Sequence, residues 1–171
     1  MDYTKVPDFI RQLHIEQQRN DALSPYVIEF LVLTACRSNE VTRMKWAKVD
    51  LENKIWTVPA GMTKSYREHR VPLSERAVAL LAQQHLKSGK GEYVWSTDGK
   101  QPISNKAVYL YLTRTMGFKV TLHGFRSTFR DWAGNETNFD RVTCELALAH
   151  KAGDATELAY RRSTHLKSVA S

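Results

Sequence analysis

One run limits the fold more than any other. From Tyr26 to Cys36 the chain reads YVIEFLVLTAC, apolar on nearly every side. A helix that lies on a surface keeps a polar face, so a helix without one has to be enclosed by other elements. The run follows Ser24-Pro25, a capping residue and a proline suited to a first helical turn. At its far end it delivers Arg37. The chain is therefore expected to pack its other elements around a central helix. Its 171 residues, 42% hydrophobic and 25% charged, suffice for one cooperative core.

The remaining elements follow from periodicity and punctuation. Before the central run, Pro7 suits a first turn, and Phe9, Ile10 and Leu13 recur at helical spacing until the polar stretch Gln17 to Asp21. After it, Asn39 to Trp46 reads as a short amphipathic helix packing back, with Val41 and Met44 inward. From Val49 to Leu73 the period changes to alternation in VDLENKIWTV and HRVPL, with Glu52-Asn53-Lys54 as a hairpin tip. Three strands are expected, and between the second and third lies a basic, flexible loop, Gly61 to Arg67, that holds Lys64. Ser74 should cap a helix through AVALLAQQHLK that stops near Gly89. Tyr93-Val94-Trp95 is a short extended piece, and a further helix from about Asn105 to Met116 is closed by Gly117. The fold class is mainly α with a small antiparallel β-sheet. No repeat, low-complexity tract or linker divides the chain, so residues 1–171 are expected to form one domain, its core spanning about 7–162 and its tail, 163–171, disordered or a truncation edge.

Lys and Arg number 25 against 18 Asp and Glu, a formal charge of +7. Such a balance favours an anionic partner, nucleic acid first, although a merely solvated basic surface has the same composition. Cys36 and Cys144 sit in apolar patterns and read as reduced, buried thiols, with no disulfide framework or zinc site implied. The N-terminal MDYTKVPDFIRQ is neither a signal core nor a transit peptide, and no run approaches membrane-spanning length. A cytoplasmic protein with no membrane partner is the expectation.

Chemistry concentrates between Thr121 and Arg162. His123 and Arg126 stand three apart at a helix start and share one face. His150 ends an apolar run formed by Val142, Leu146 and Ala149, and Tyr160 is flanked by Arg161 and Arg162. Taken singly, His123 reads as a satisfied helix-start histidine and Arg126 as a surface pair. Arg37 is more telling, because a charge at the end of the most hydrophobic helix is costly unless it is paired or serves an anion. Glu40, three residues on, supplies a salt bridge, and a carboxylate that orients an arginine leaves part of its fork for phosphate.

Four motifs, LTACRSNEVTRMKW, LHGFRSTFRDWA, LALAH and AYRR, in this order and at this spacing, resemble the catalytic domain of tyrosine recombinases, the phage-integrase family, and most of all the integrases of prophages and genomic islands. The resemblance runs from about the first helix to Arg162. It implies the DNA breaking-rejoining fold, with Arg37 as the first catalytic arginine, His123 and Arg126 as an HxxR pair, Lys64 as the hairpin lysine, His150 as the later histidine and Tyr160 as the nucleophile. Glu40 would support Arg37. Within the loop region Arg67 and Arg70 compete with Lys64, and Tyr109 and Tyr111 compete with Tyr160, though both sit in an apolar helix and read as core.

The function implied is site-specific DNA recombination, integration or excision, through a covalent 3′-phosphotyrosine and without a metal or nucleotide cofactor. The partners implied are double-stranded attachment sites, further copies of the protein assembled on DNA, and accessory DNA-bending proteins. Relaxation of supercoils by the same chemistry, as in type IB topoisomerases, and a DNA-binding module without catalysis are the rival readings. Family members carry an N-terminal domain that clamps the other side of the duplex, so the chain is expected to be a fragment.

Overall fold

In a computed structural model that describes residues 1–149, the apolar run is the axis on which the rest is hung. It forms α2 (Ser24–Thr34), and Val27, Ile28, Phe30 and Leu31 along it are fully buried. Around it pack α1 (Val6–Arg19), α3 (Ser38–Thr42), α4 (Glu75–Ser88), α5 (Asn105–Leu110) and α6 (Gly124–Glu136), while α7 (Arg141–Ala147) lies against α6. Ser24 is not the cap that its type promises. Leu23 holds the N-cap position, and Ser24 and Pro25 are both buried inside the first turn.

The sheet joins β1 (Val49–Asp50), β2 (Ile55–Val58) and β3 (His69–Pro72) in antiparallel order β1-β2-β3. Its tip is fixed by Asp50, whose carboxylate accepts from the Asn53 backbone N–H at 2.9 Å and from the Asn53 side chain at 2.8 Å. Lys54 then takes a left-handed φ of 55° to close the turn. Trp56 pairs with Val71 and Val58 with His69, so alternation sends Trp56, Val58, Val71 and His69 to the inner face. There Trp56 meets Phe30 of α2, with ring centroids 5.8 Å apart, and Phe30 meets Trp95 at 5.4 Å. Sheet and helices thus share one core.

Ser74 does cap α4, accepting from the Ala77 N–H at 3.2 Å, and α4 ends at Gly89. The helix expected from Asn105 to Met116 divides: α5 stops at Leu110 and a wider π turn covers Tyr111–Thr115, with the Met116 N–H reaching the Tyr111 carbonyl at 3.0 Å. Gly117 (φ 75°) ends it, as expected. Cys36 and Cys144 are both free and buried, and burial pushes the Cys36 thiol up to about 12. Among the described residues no helix is long and apolar enough to cross a membrane.

Candidate active site

The end of α2 sets the position of the first arginine. Ala35 adopts a left-handed φ of 51° and stops the helix, Cys36 is buried behind it, and Arg37 becomes the N-cap residue of α3. Glu40 sits at the third position of α3, 1% exposed. It reaches back to accept from the Arg37 backbone N–H at 2.9 Å and from an Arg37 terminal nitrogen at 3.2 Å. One carboxylate therefore caps the helix and orients the guanidinium.

Arg126 arrives from the first turn of α6 and is 3% exposed. One terminal nitrogen donates to the Ala35 carbonyl at 2.6 Å and the other to the Leu148 carbonyl at 2.5 Å. The fork so ties the end of α2 to the end of α7. Burial first, and then the positive charge of Arg37, lower its pKa, while Glu40 acts in the opposite direction. Arg37 pairs with Glu40, and both of these charges act on the buried Arg126. A low-dielectric pocket with excess positive charge favours an anion that accepts from forked donors, and phosphate is such an anion.

His69, at the start of β3, completes the cluster. It was not singled out from the sequence, although the alternation in HRVPL places it on the same face as Val71. The ring is half-buried, and the charges of Glu40, Arg126 and Arg37 act on it. Burial is the largest influence and holds its pKa below the ordinary histidine range, which leaves the ring neutral at pH 7.

The structure brings together Arg37, Glu40 and Arg126. It places two other expected residues nearer to solvent. His123 is the N-cap residue of α6, exposed, its carbonyl accepting from the Arg126 N–H at 3.1 Å. It is one turn from Arg126 but differs from it in burial. Lys64 is exposed on a turn after the short 3₁₀ segment Ala60–Met62. Within that turn the buried Thr63 hydroxyl donates to the Arg67 carbonyl at 2.7 Å and accepts from the Arg67 N–H at 3.1 Å.

His150 and Tyr160 lie outside the described residues. Of the two rival tyrosines, Tyr109 is 43% exposed rather than core. Tyr111 donates to Glu16 at 2.5 Å, and burial followed by that hydrogen bond raises its pKa, which makes it a poorer nucleophile.

A mainly helical domain with a small antiparallel sheet is the fold that this chain shares with solved tyrosine recombinases. The XerH site-specific recombinase, in a post-cleavage complex with its palindromic difH substrate, superposes with a TM-score of 0.69 at 17% identity, covering 92% of this chain and 48% of that one. A lambda integrase tetramer bound to a Holliday junction gives 0.63 at 20% identity, covering 88% and 46%. In sequence the chain is 34% identical to the prophage integrase IntA of Escherichia coli K12 over 80% of its own length and 33% of IntA. It is 32% identical to the integrase of Shigella phage Sf6 over 78% of its length and 35% of that protein. The chain belongs to the phage integrase family, which it matches over residues 2–166. It spans about a third of the length of these relatives.

Proposed function

We propose that the chain is the catalytic part of a site-specific DNA recombinase that cuts and rejoins duplex DNA through Tyr160. The observation that supports this most directly is the pair Arg37 and Arg126, held in one buried cluster by Glu40 and by the backbone carbonyls of Ala35 and Leu148. Family membership supports it as well. In this reading the guanidiniums neutralise the nonbridging oxygens of a phosphodiester as the attacking oxygen adds, the task that a preorganised oxyanion site performs in acyl transfer.

The Tyr160 oxygen forms a bond to phosphorus, and the bond from phosphorus to the 5′ oxygen breaks. A phenol starts near pKa 10 and has to lose its proton, and His123 is the base or orienting group. Lys64 gives the departing 5′ oxygen its proton, and His150 adds a donor to the phosphate. The 3′-phosphotyrosine conserves the energy of the broken bond. A second 5′ hydroxyl can therefore reverse the step on another strand, and the chemistry needs neither a metal nor a nucleotide. Double-stranded attachment sites, assembly of several copies on DNA and accessory bending proteins are the partners in this reading, in keeping with the DNA complexes of the XerH and lambda integrase neighbours.

The test is incubation with a pool of nicked suicide duplexes of randomised core sequence, followed by denaturing electrophoresis and sequencing of the bound DNA. A covalent band enriched in one sequence, and lost in Tyr160→Phe with DNA affinity retained, is the expected result. A band without sequence enrichment would mark a relaxing enzyme, and retention of DNA without any band would mark a binding module. A band that persists in Tyr160→Phe moves the nucleophile to another tyrosine.

A further inference from the structure

A helix of barely more than one turn does not hold itself, because too few hydrogen bonds close it to offset the chain entropy of ordering it. α3 is such a helix, five residues from Ser38 to Thr42, and Arg37 is its N-cap residue. Its placement therefore depends on what grips it from other parts of the chain. Val41 is fully buried on one side, and Glu40 reaches back to the Arg37 N–H. A further grip comes from α5. Asn105, the first residue of α5, donates from its side-chain amide to the Asn39 side-chain oxygen and accepts from the buried Thr42 hydroxyl at 3.3 Å. Asn39 and Thr42 stand three apart and share one face of α3. One side chain thus spans nearly the whole length of the helix.

We propose that Asn105 is a positioning residue for strand cleavage: by bridging Asn39 and Thr42 it fixes the roll of α3 about its axis and, through α3, the aim of the Arg37 guanidinium. This rests on the recombinase reading above. Successive residues of a helix are turned by about 100°, so Glu40 and the bridge lie on different faces of α3, and a helix held on two faces is restrained from rolling. Glu40 meets an Arg37 terminal nitrogen at 3.2 Å, and the direction of the rest of the fork then follows from where α3 places Glu40. The support behind the bridge is firm. Ser104 caps α5 by accepting from the Ala107 N–H at 3.1 Å, and Val108 of α5 is fully buried in the core.

The experiment measures single-turnover adduct formation at saturating suicide duplex, the one recovered above, with DNA affinity determined separately. Asn105→Ala should slow adduct formation about tenfold while affinity stays within about twofold, because a misaimed phosphate-holding group affects the chemical step more than the binding. Thr42→Val, which keeps the shape and removes the hydroxyl, should be slower than Thr42→Ser, which keeps the hydroxyl. A double-mutant cycle decides the route: with Arg37→Ala already in place, adding Asn105→Ala should change the rate by less than about twofold, since its only route is through Arg37. An Asn105→Ala protein that cleaves at the wild-type rate overturns the proposal, and so does a Thr42→Val protein as fast as Thr42→Ser. An equal fall in both backgrounds of the cycle overturns it too, since the bridge would then support the fold in general.

Amide hydrogen exchange without DNA provides a readout independent of catalysis. The Val41 and Arg43 N–H groups close α3 on the Arg37 and Asn39 carbonyls at 3.1 and 3.3 Å. Asn105→Ala should accelerate their exchange and leave α1 unchanged, and equal exchange in the two proteins also overturns the bridge. Should the wild-type protein form no adduct on any duplex, the recombinase reading fails and the role in cleavage falls with it, and the exchange measurement still decides whether Asn105 holds α3.

Discussion

Two buried glutamates flank the same central helix, and their surroundings differ in one respect. Glu29, in the middle of α2 and 1% exposed, accepts from Arg76 of α4 at 2.7 and 3.0 Å, from Gln17 of α1 at 2.7 Å, and meets His14 at 3.0 Å. Burial raises its pKa, but hydrogen bonds from Arg76, Gln17 and His14 outweigh that and leave it lowered; Arg76, chiefly through the same bond, is raised. One carboxylate and one guanidinium suit each other. Glu40, also 1% exposed, pairs with Arg37, and the pKa of the nearby Arg126 is lowered, chiefly by burial. The same residue types make a tie in one place and an unbalanced positive pocket in the other. Arg76 is raised by its bond to Glu29, whereas Arg126 is lowered chiefly by burial and then by the charge of Arg37, the kind of perturbation that functional sites often carry.

The sharpest way to break this comparison is to remove a guanidinium from each cluster. Arg37→Ala or Arg126→Ala should lower adduct formation by about 10²–10³-fold, the scale for loss of one oxyanion donor, in protein whose circular dichroism remains native. Undiminished cleavage would make the Glu40 cluster structural too. Arg76→Ala should instead cost stability, about 2–3 kcal/mol in urea unfolding, because it strips the main partner from a buried carboxylate while Gln17 and His14 remain. Cleavage by the folded fraction should be unchanged. A loss of activity without a loss of stability would show that the Glu29 cluster serves the reaction.

The smallest effect is on pH. The Glu29 carboxyl lies below its ordinary value near 4.3, so on acidification the unfolded chain takes up the proton first. The stabilisation is fully present above the ordinary value and is lost as pH falls through the lower folded one. Glu29→Gln should flatten that part of the acid limb of a melting curve series. An unaltered slope would assign the acid sensitivity to another carboxylate.

What could be read from the sequence was local, and what was missed was brought together from afar. The central helix was legible because its burial is written in every residue of YVIEFLVLTAC. Yet Glu29, within it, was not, since its partners His14, Gln17 and Arg76 stand 12 to 47 positions away. The hairpin tip was legible because Glu52-Asn53-Lys54 interrupts the alternation, whereas the part Asp50 plays in fixing it came from the fold. The π turn at Tyr111–Thr115 was not, because the same apolar spacing serves either helix. Arg37 with Glu40 could be read as a pair from a spacing of three. Arg126 was placed by family resemblance, but its burial and its two carbonyl partners came only from the fold. A lone histidine at the head of a strand carries no signal of its own, and His69 emerged only when the charges of Arg37, Glu40 and Arg126 were found to act on it.

The bond from Arg126 to the Ala35 carbonyl spans 91 positions of chain. Closing a loop of that length costs on the order of 4 kcal/mol in chain entropy, which cannot be recovered until the elements between have already docked. Completing the arginine pair accordingly requires α6 to reach the end of α2. A chain emerging from the ribosome displays Arg37 and Glu40 early, but lacks the second guanidinium of the pair until α6 has been synthesised and has closed onto α2. The order of synthesis alone thus delays the pocket until nearly all of the domain that supports it has been made.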